Sequence, residues 1–121
     1  RAPSGMPGVE TSLPLMLTHM HAGRCTLADI QKWMCYGPAH AYAIADKGKI
    51  LEGWDADLTL VDMDVTQTVQ NEKTSTKVKW SPYAGRALRG WPVYTIVGGE
   101  IVFEQGRIRP GVLGKPLVFT Q

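Results

Sequence analysis

Two histidines one residue apart, His19 and His21, are the first residues in this sequence with the makings of a metal site. A His-x-His pair grips an ion when it lies in extended backbone, where alternate side chains point the same way. Here the pair falls in a stretch of helical spacing, and positions two apart on a helix diverge by about 200° at 3.6 residues per turn. No third ligand with zinc-site spacing follows. The pair therefore reads as two polar residues in a last helical turn, where a partly cationic imidazole suits the helix dipole. His40 stands alone on a short helix and reads as structural. Asp55 and Asp57 resemble a carboxylate pair, yet Gly53-Trp54-Asp55-Ala56-Asp57 precedes an apolar run and reads as a turn whose Asp side chains bond nearby amides.

The other chemical candidates fare no better. Trp33, Trp54, Trp80 and Trp91 read as core or interface anchors rather than cofactor platforms. Cys25 and Cys35 form no CxxC and read as inert and reduced. Gly98-Gly99 lacks the Lys-Ser/Thr and the helix that complete a phosphate loop. What remains is the opening loop, Ser4-Gly5-Met6-Pro7-Gly8. Its glycines let backbone approach a ligand closely, and successive amides in such a turn can cradle an anion. A plain connecting loop fits the same residues.

The elements that would position these residues fall into two parts. Pro3, Gly5, Pro7 and Gly8 keep residues 1–10 irregular. A helix follows, with Leu13, Met16, Leu17 and Met20 on one apolar face, Pro14 in its first turn and Gly23 at its end. Thr26 reads as the N-cap of a second helix, with Asp29 completing a capping box. Leu27, Ile30 and Met34 form its stripe, and Gly37-Pro38 stops it. Pro38 then begins a short third helix running to about Ile44. From Gly48 the pattern turns to short β-rich runs: Lys49–Leu51, Leu58–Val61, Thr66–Val69, Val93–Val97 and Ile101–Phe103. Gly98-Gly99 between the last two signals a hairpin, since primed turns need positive φ. The expected organisation is a helical part, 1–47, and a β part, 48–121.

Composition narrows the class. The 121 residues are 44% hydrophobic and 20% charged, enough for one ordinary domain, and the net charge is only +2. The basic residues are scattered, so the stripe that nucleic-acid binding requires is missing. No apolar run is long enough to cross a bilayer and no signal peptide opens the chain, which makes a cytoplasmic setting the default expectation. About 70 residues of β structure are a thin basis for an independent core, so partner strands from a longer protein, or from other copies of the chain, are expected to cover its edges. The start at Arg1, directly in loop chemistry, is also read as a piece of something longer.

Taken in order along the chain, the motifs resemble a known family. Ala2-Pro3-Ser4-Gly5-Met6-Pro7-Gly8-Val9-Glu10-Thr11, followed by Leu13-Pro14-Leu15-Met16-Leu17-Thr18, is similar to the segment after the last metal ligand of bacterial-type dihydroorotases, in the amidohydrolase superfamily. Gly23-Arg24 with Thr26-Leu27 matches the family's next helix start. Gly53-x-Asp55-Ala56-Asp57-Leu58-Thr59-Leu60-Val61-Asp62 resembles its C-terminal signature, and Trp80-Ser81-Pro82-Tyr83-x-Gly85 and Gly98-Gly99-Glu100-Ile101-Val102 complete the series.

The resemblance implies an α+β fragment, in which the last helices of a TIM barrel are followed by the C-terminal part of a small β-sandwich. It implies a parent that is a zinc-dependent hydrolase interconverting dihydroorotate and N-carbamoyl-L-aspartate. Zinc would be held upstream, with no metal ligand and no catalytic residue in this chain. Ser4 and Gly5 match the family's backbone contact to substrate, and Pro7 and Gly8 shape that turn. A homo-oligomer, and aspartate transcarbamoylase as a partner, are further implications. Tyr36-Gly37-Pro38-Ala39 departs from the family's Asn-Pro-Ala. A non-catalytic homologue, or another cyclic amidase such as a dihydropyrimidinase or hydantoinase, would carry similar motifs.

Overall fold

A computed structural model describes residues 5–120. Its elements run α1 (Val9–His21), α2 (Leu27–Gln31), a π-helical segment (Lys32–Tyr36), α3 (Gly37–Ala41), β1 (Leu58–Thr68), a 3-10 turn (Asn71–Lys73), β2 (Ala87–Val97), β3 (Glu100–Glu104) and β4 (Arg107–Ile108). The strands form one sheet in the order β1-β2-β3-β4. The chain divides into two compact units, each drawing on both the helical and the β part. One contains the described part of Arg1–Arg24 with Asp62–Trp91, and the other Cys25–Val61 with the described part of Pro92–Gln121.

In the first unit α1 begins earlier than its apolar spacing predicts. Gly8 is its N-cap, and Pro14 lies inside the helix rather than in its first turn. Proline has no N–H, so the Glu10 carbonyl loses its usual helical donor. The ring is nonetheless fully buried, and the Pro14 carbonyl accepts the Thr18 hydroxyl at 2.8 Å. The buried stripe is Thr11, Pro14 and Leu17. Leu13, Met16 and Met20, the rest of the expected face, are half-buried. Leu17, Val69 and Leu88 form this unit's apolar core. Gly90 makes that contact possible: its φ is +91°, and a Cβ there would lie 2.9 Å from the Leu17 Cβ. The Thr18 hydroxyl then accepts the Arg89 amide at 2.8 Å, fastening α1 to β2.

In the second unit the capping box is present as expected. The Thr26 hydroxyl accepts the Asp29 amide at 3.1 Å, and the Asp29 carboxylate accepts the Thr26 amide at 2.8 Å. The Thr26 hydroxyl also donates to that carboxylate at 2.7 Å, and this bond first, with the Thr26 amide second, holds the Asp29 carboxyl below its ordinary value. Gly37-Pro38 does not stop the helix, contrary to the sequence expectation. The run passes through the π segment into α3, and the Gly37 amide reaches the Lys32 carbonyl five residues back. In an α-helix the Pro38 ring would press on the carbonyl four residues before it. A π turn just ahead opens the ladder there. Ile30 and Ala39 are buried, whereas Leu27, predicted to share the stripe, is exposed.

The strands also differ from their predicted limits. The runs 58–61 and 66–69 belong largely to one eleven-residue strand, β1, instead of two. Asp62 and Asp64, which look like a break, are exposed positions alternating with half-buried Val61, Met63 and Val65. That is the period-2 signature of a strand with one covered face. Lys49–Leu51, predicted as a strand, lies outside any strand, and Ile50 is exposed. Gly98-Gly99 makes the expected hairpin turn with φ +57° and +85°, and β3 pairs antiparallel with β2 through a register shift at Thr95/Ile96. β4 pairs antiparallel with β3, and the Ile44–Phe119 bridge ties the segment after α3 to the last described residues.

Candidate functional site

The loop in front of α1 is described from Gly5 onward. Gly5 and Met6 are exposed, and Pro7 and Gly8 are half-buried. Ser4 lies outside the described residues. The loop's inner end is fixed by Thr11, which is buried. Its amide and hydroxyl donate to the Gly8 carbonyl at 3.2 and 3.3 Å. Next to it, the Glu10 carboxylate accepts the Ser75 amide, with each oxygen at 3.0 Å. Sequence reading passed over Glu10 as chemistry, because its partner is 65 residues away.

The other candidates take structural places. His19 and His21 sit in the last turn of α1, and the His19 Nδ1 lies 3.1 Å from an Arg24 guanidinium nitrogen. His40 stacks on Tyr36 with ring centroids 5.6 Å apart. Cys25 is half-buried and Cys35 exposed. Trp54 and Trp91 are half-buried, and Trp91 donates to the Leu88 carbonyl at 2.8 Å. Trp33 and Trp80 are exposed and anchor no core in this chain. A shallow groove of about 270 Å³ in the second unit is lined in part by Tyr36, His40, Lys47 and Trp54.

Asp55 and Asp57 do form an ionic site, with a lysine that the sequence reading left out. Lys47 Nζ lies 2.8 Å from Asp55 and also pairs with Asp57, whose other oxygen accepts the Gly98 amide at 2.7 Å. The cluster therefore ties the loop before β1 to the β2–β3 turn. Lys47 chiefly, and the Gly98 amide after it, hold the Asp57 carboxyl below its ordinary value of 3.8. Asp55 first and Asp57 second push the Lys47 ammonium above its ordinary 10.5. A lowered carboxyl stabilises the fold above its unfolded value, and this contribution is lost as pH falls through the folded one. A raised amine does the reverse, contributing below 10.5 and losing that contribution on the alkaline side.

Asp57→Asn is accordingly expected to lower stability at neutral pH by about 1 kcal/mol or less, as suits a solvent-screened pair. The deficit should vanish at acid pH well below 3.8, where wild type has lost the same charge. Urea midpoints of both proteins across that range measure it. A deficit that persists undiminished in acid would assign Asp57 a packing role instead.

Among the described residues no group of three His, Cys, Asp or Glu side chains could hold a metal ion. The arrangement can offer backbone to a ligand at one loop and hold that loop in place. A fold of short helices followed by a small sheet, entered through the Gly5-Met6-Pro7-Gly8 loop, is one that known proteins share. Residues 8–102 match the amidohydrolase family, and the chain belongs to that family. Within it, the chain is 36% identical over 110 residues to a dihydroorotase of Methanothermobacter thermautotrophicus, covering 91% of this chain and 26% of that protein. A dihydroorotase of Pyrococcus furiosus is 39% identical over 113 residues, covering 93% and 26%. The chain thus spans about a quarter of the length of the curated relatives it matches. Among solved structures, an L-hydantoinase (dihydropyrimidinase) from Arthrobacter aurescens superposes with a TM-score of 0.84 at 37% identity, over 89% of this chain and 24% of that one. An inactive dihydroorotase-like domain of a Chaetomium thermophilum CAD-like multifunctional protein shares the fold, with a TM-score of 0.66 at 20% identity over 91% of this chain and 29% of that one.

Proposed function

We propose that this chain is the C-terminal portion of a zinc-dependent dihydroorotase, an enzyme interconverting dihydroorotate and N-carbamoyl-L-aspartate in pyrimidine synthesis. The observation that carries the reading is the identity of 36–39% to two dihydroorotases over nine-tenths of the chain. In this reading α1 to α3 are the last helices of a TIM barrel and its extensions, and β1 to β4 are a share of a small β-sandwich. Barrel enzymes build their sites from loops at the C-terminal ends of the strands, and the loop ending at Gly8 is the last of these. Ser4 and Gly5 present backbone to the substrate, and Pro7 and Gly8 shape the turn.

The residues present do not fit a zinc ion. His19 and His21 diverge on α1, and the Asp55–Asp57 pair is satisfied by Lys47 and the Gly98 amide. The metal and the proton-transferring groups would therefore come from outside this chain, which is inactive alone, and no step is assigned to it beyond holding the substrate. A cytoplasmic homo-oligomer, with aspartate transcarbamoylase as an associate, completes the proposal.

A second reading, a hydantoinase or dihydropyrimidinase, is favoured by the TM-score of 0.84 to the Arthrobacter enzyme. A substrate panel on the full-length zinc-loaded protein separates the readings. Turnover of dihydroorotate well above that of dihydrouracil and hydantoins is the expected outcome. The reverse order would give the chain to the second reading, and no turnover of any would make the parent a non-catalytic homologue.

A further inference from the structure

We infer that Glu10 is a positioning residue: by clamping the first turn of α1 to the Ser75 backbone it sets where the loop ending at Gly8 stands. This rests on the reading of that loop as a substrate rim and adds to it the device that holds the rim in place.

The loop cannot place itself. Gly5 and Met6 are exposed, and a Cβ on Gly5 would meet nothing within 4 Å. Its position is therefore inherited from α1, through the two bonds that Thr11 makes to the Gly8 carbonyl. The far end of α1 is fastened by Thr18 to β2. At the near end the long-range tie is Glu10, whose two oxygens share the Ser75 amide at 3.0 Å each.

The segment that receives this tie is braced within itself. Asn71 Oδ1 accepts the Ser81 amide at 2.9 Å, the Thr74 hydroxyl donates to the Asn71 carbonyl at 2.8 Å, and Lys79 Nζ donates to the Thr74 carbonyl at 2.7 Å. Thr74 and Ser81 are buried. Glu10 thus links the first turn of α1 to a cross-braced anchor. An ionised acceptor makes that bond stronger than a neutral one would be.

A rim that holds substrate and transition state alike affects KM more than kcat. In the full-length enzyme Glu10→Ala is therefore expected to raise KM for dihydroorotate about tenfold, with kcat changed by less than about twofold. Glu10→Gln, which keeps an acceptor, should recover most of the loss. Arg89→Ala removes the Asp64 ion pair but leaves the backbone latch to Thr18, and should leave KM unchanged. Hydrogen exchange in the same proteins should show the Ser75 amide losing protection in Glu10→Ala and keeping it in Arg89→Ala. An unchanged KM in an active Glu10→Ala enzyme, or unaltered Ser75 exchange, would overturn the inference. A wild-type enzyme inactive on dihydroorotate would instead sink the dihydroorotase reading, and Ser75 exchange would still decide the clamp.

Discussion

Gly48→Ala is expected to destabilise the chain by about 2–5 kcal/mol, adding a left-handed backbone penalty of roughly 1–2 kcal/mol to an overpacking penalty of roughly 1–3 kcal/mol. Gly48 has φ +89°, and a Cβ there would lie 2.9 Å from the Ala39 Cβ, 2.9 Å from the Cys35 carbonyl oxygen and 3.0 Å from the Tyr36 Cα. Two of those three are backbone atoms of the π segment and cannot swing aside. The Gly48 carbonyl also accepts Gln31 Nε2 at 2.8 Å, so a displaced Gly48 would give up that bond too. Gly111 offers the control, because it has the same φ of +89° with nothing within 4 Å of its would-be Cβ. Gly111→Ala should show the backbone cost alone, and the difference between the two isolates the packing. Urea unfolding of the two variants gives both numbers. Equal effects would mean that the segment after α3 moves away from the π turn at no cost.

This close approach marks where sequence reading stops. Local chemistry was legible: Thr26 and Asp29 lie three residues apart and form their capping box, and Gly98-Gly99 turns the hairpin it signals. Such features are set by neighbours along the chain, so spacing is enough to read them. Gly48 reads only as a boundary, because the atoms that forbid a side chain there belong to residues 35–39 and meet it through tertiary packing. Pro38 misled for a related reason. Its missing N–H and its ring normally end a helix, and the π turn that accommodates them has no pattern of its own in the residues before it. The alternation Val61-Asp62-Met63-Asp64-Val65 has a strand's period, yet its two acidic residues leave no continuous apolar run to mark it as one.

The candidate site was legible as an element and not as a mechanism of support. The Ser4–Gly8 loop stands out for its two glycines and Pro7, and the helical spacing around His19 and His21 matches the helix they lie on. Lys47 and Glu10 were missed because each acts through partners outside its own turn. Lys47 reaches residues 55 and 57, and Glu10 reaches residue 75. A lone charged residue in a helix or loop carries no signal of a bond that only the fold creates.

An enzyme of this class must accelerate its reaction by about a millionfold or more. If this chain supplies a rim and its support but not the ion, all of that acceleration depends on residues beyond it. The direct measurement is dihydroorotate hydrolysis, with zinc supplied, by the 121-residue chain alone and by the full-length protein that contains it. The expected result is background rate for the chain, unaffected by zinc, and zinc-dependent turnover for the full-length protein. Zinc-dependent turnover by the chain alone would contradict the account, since it would require ligands where His19, His21, Asp55 and Asp57 have been given other work.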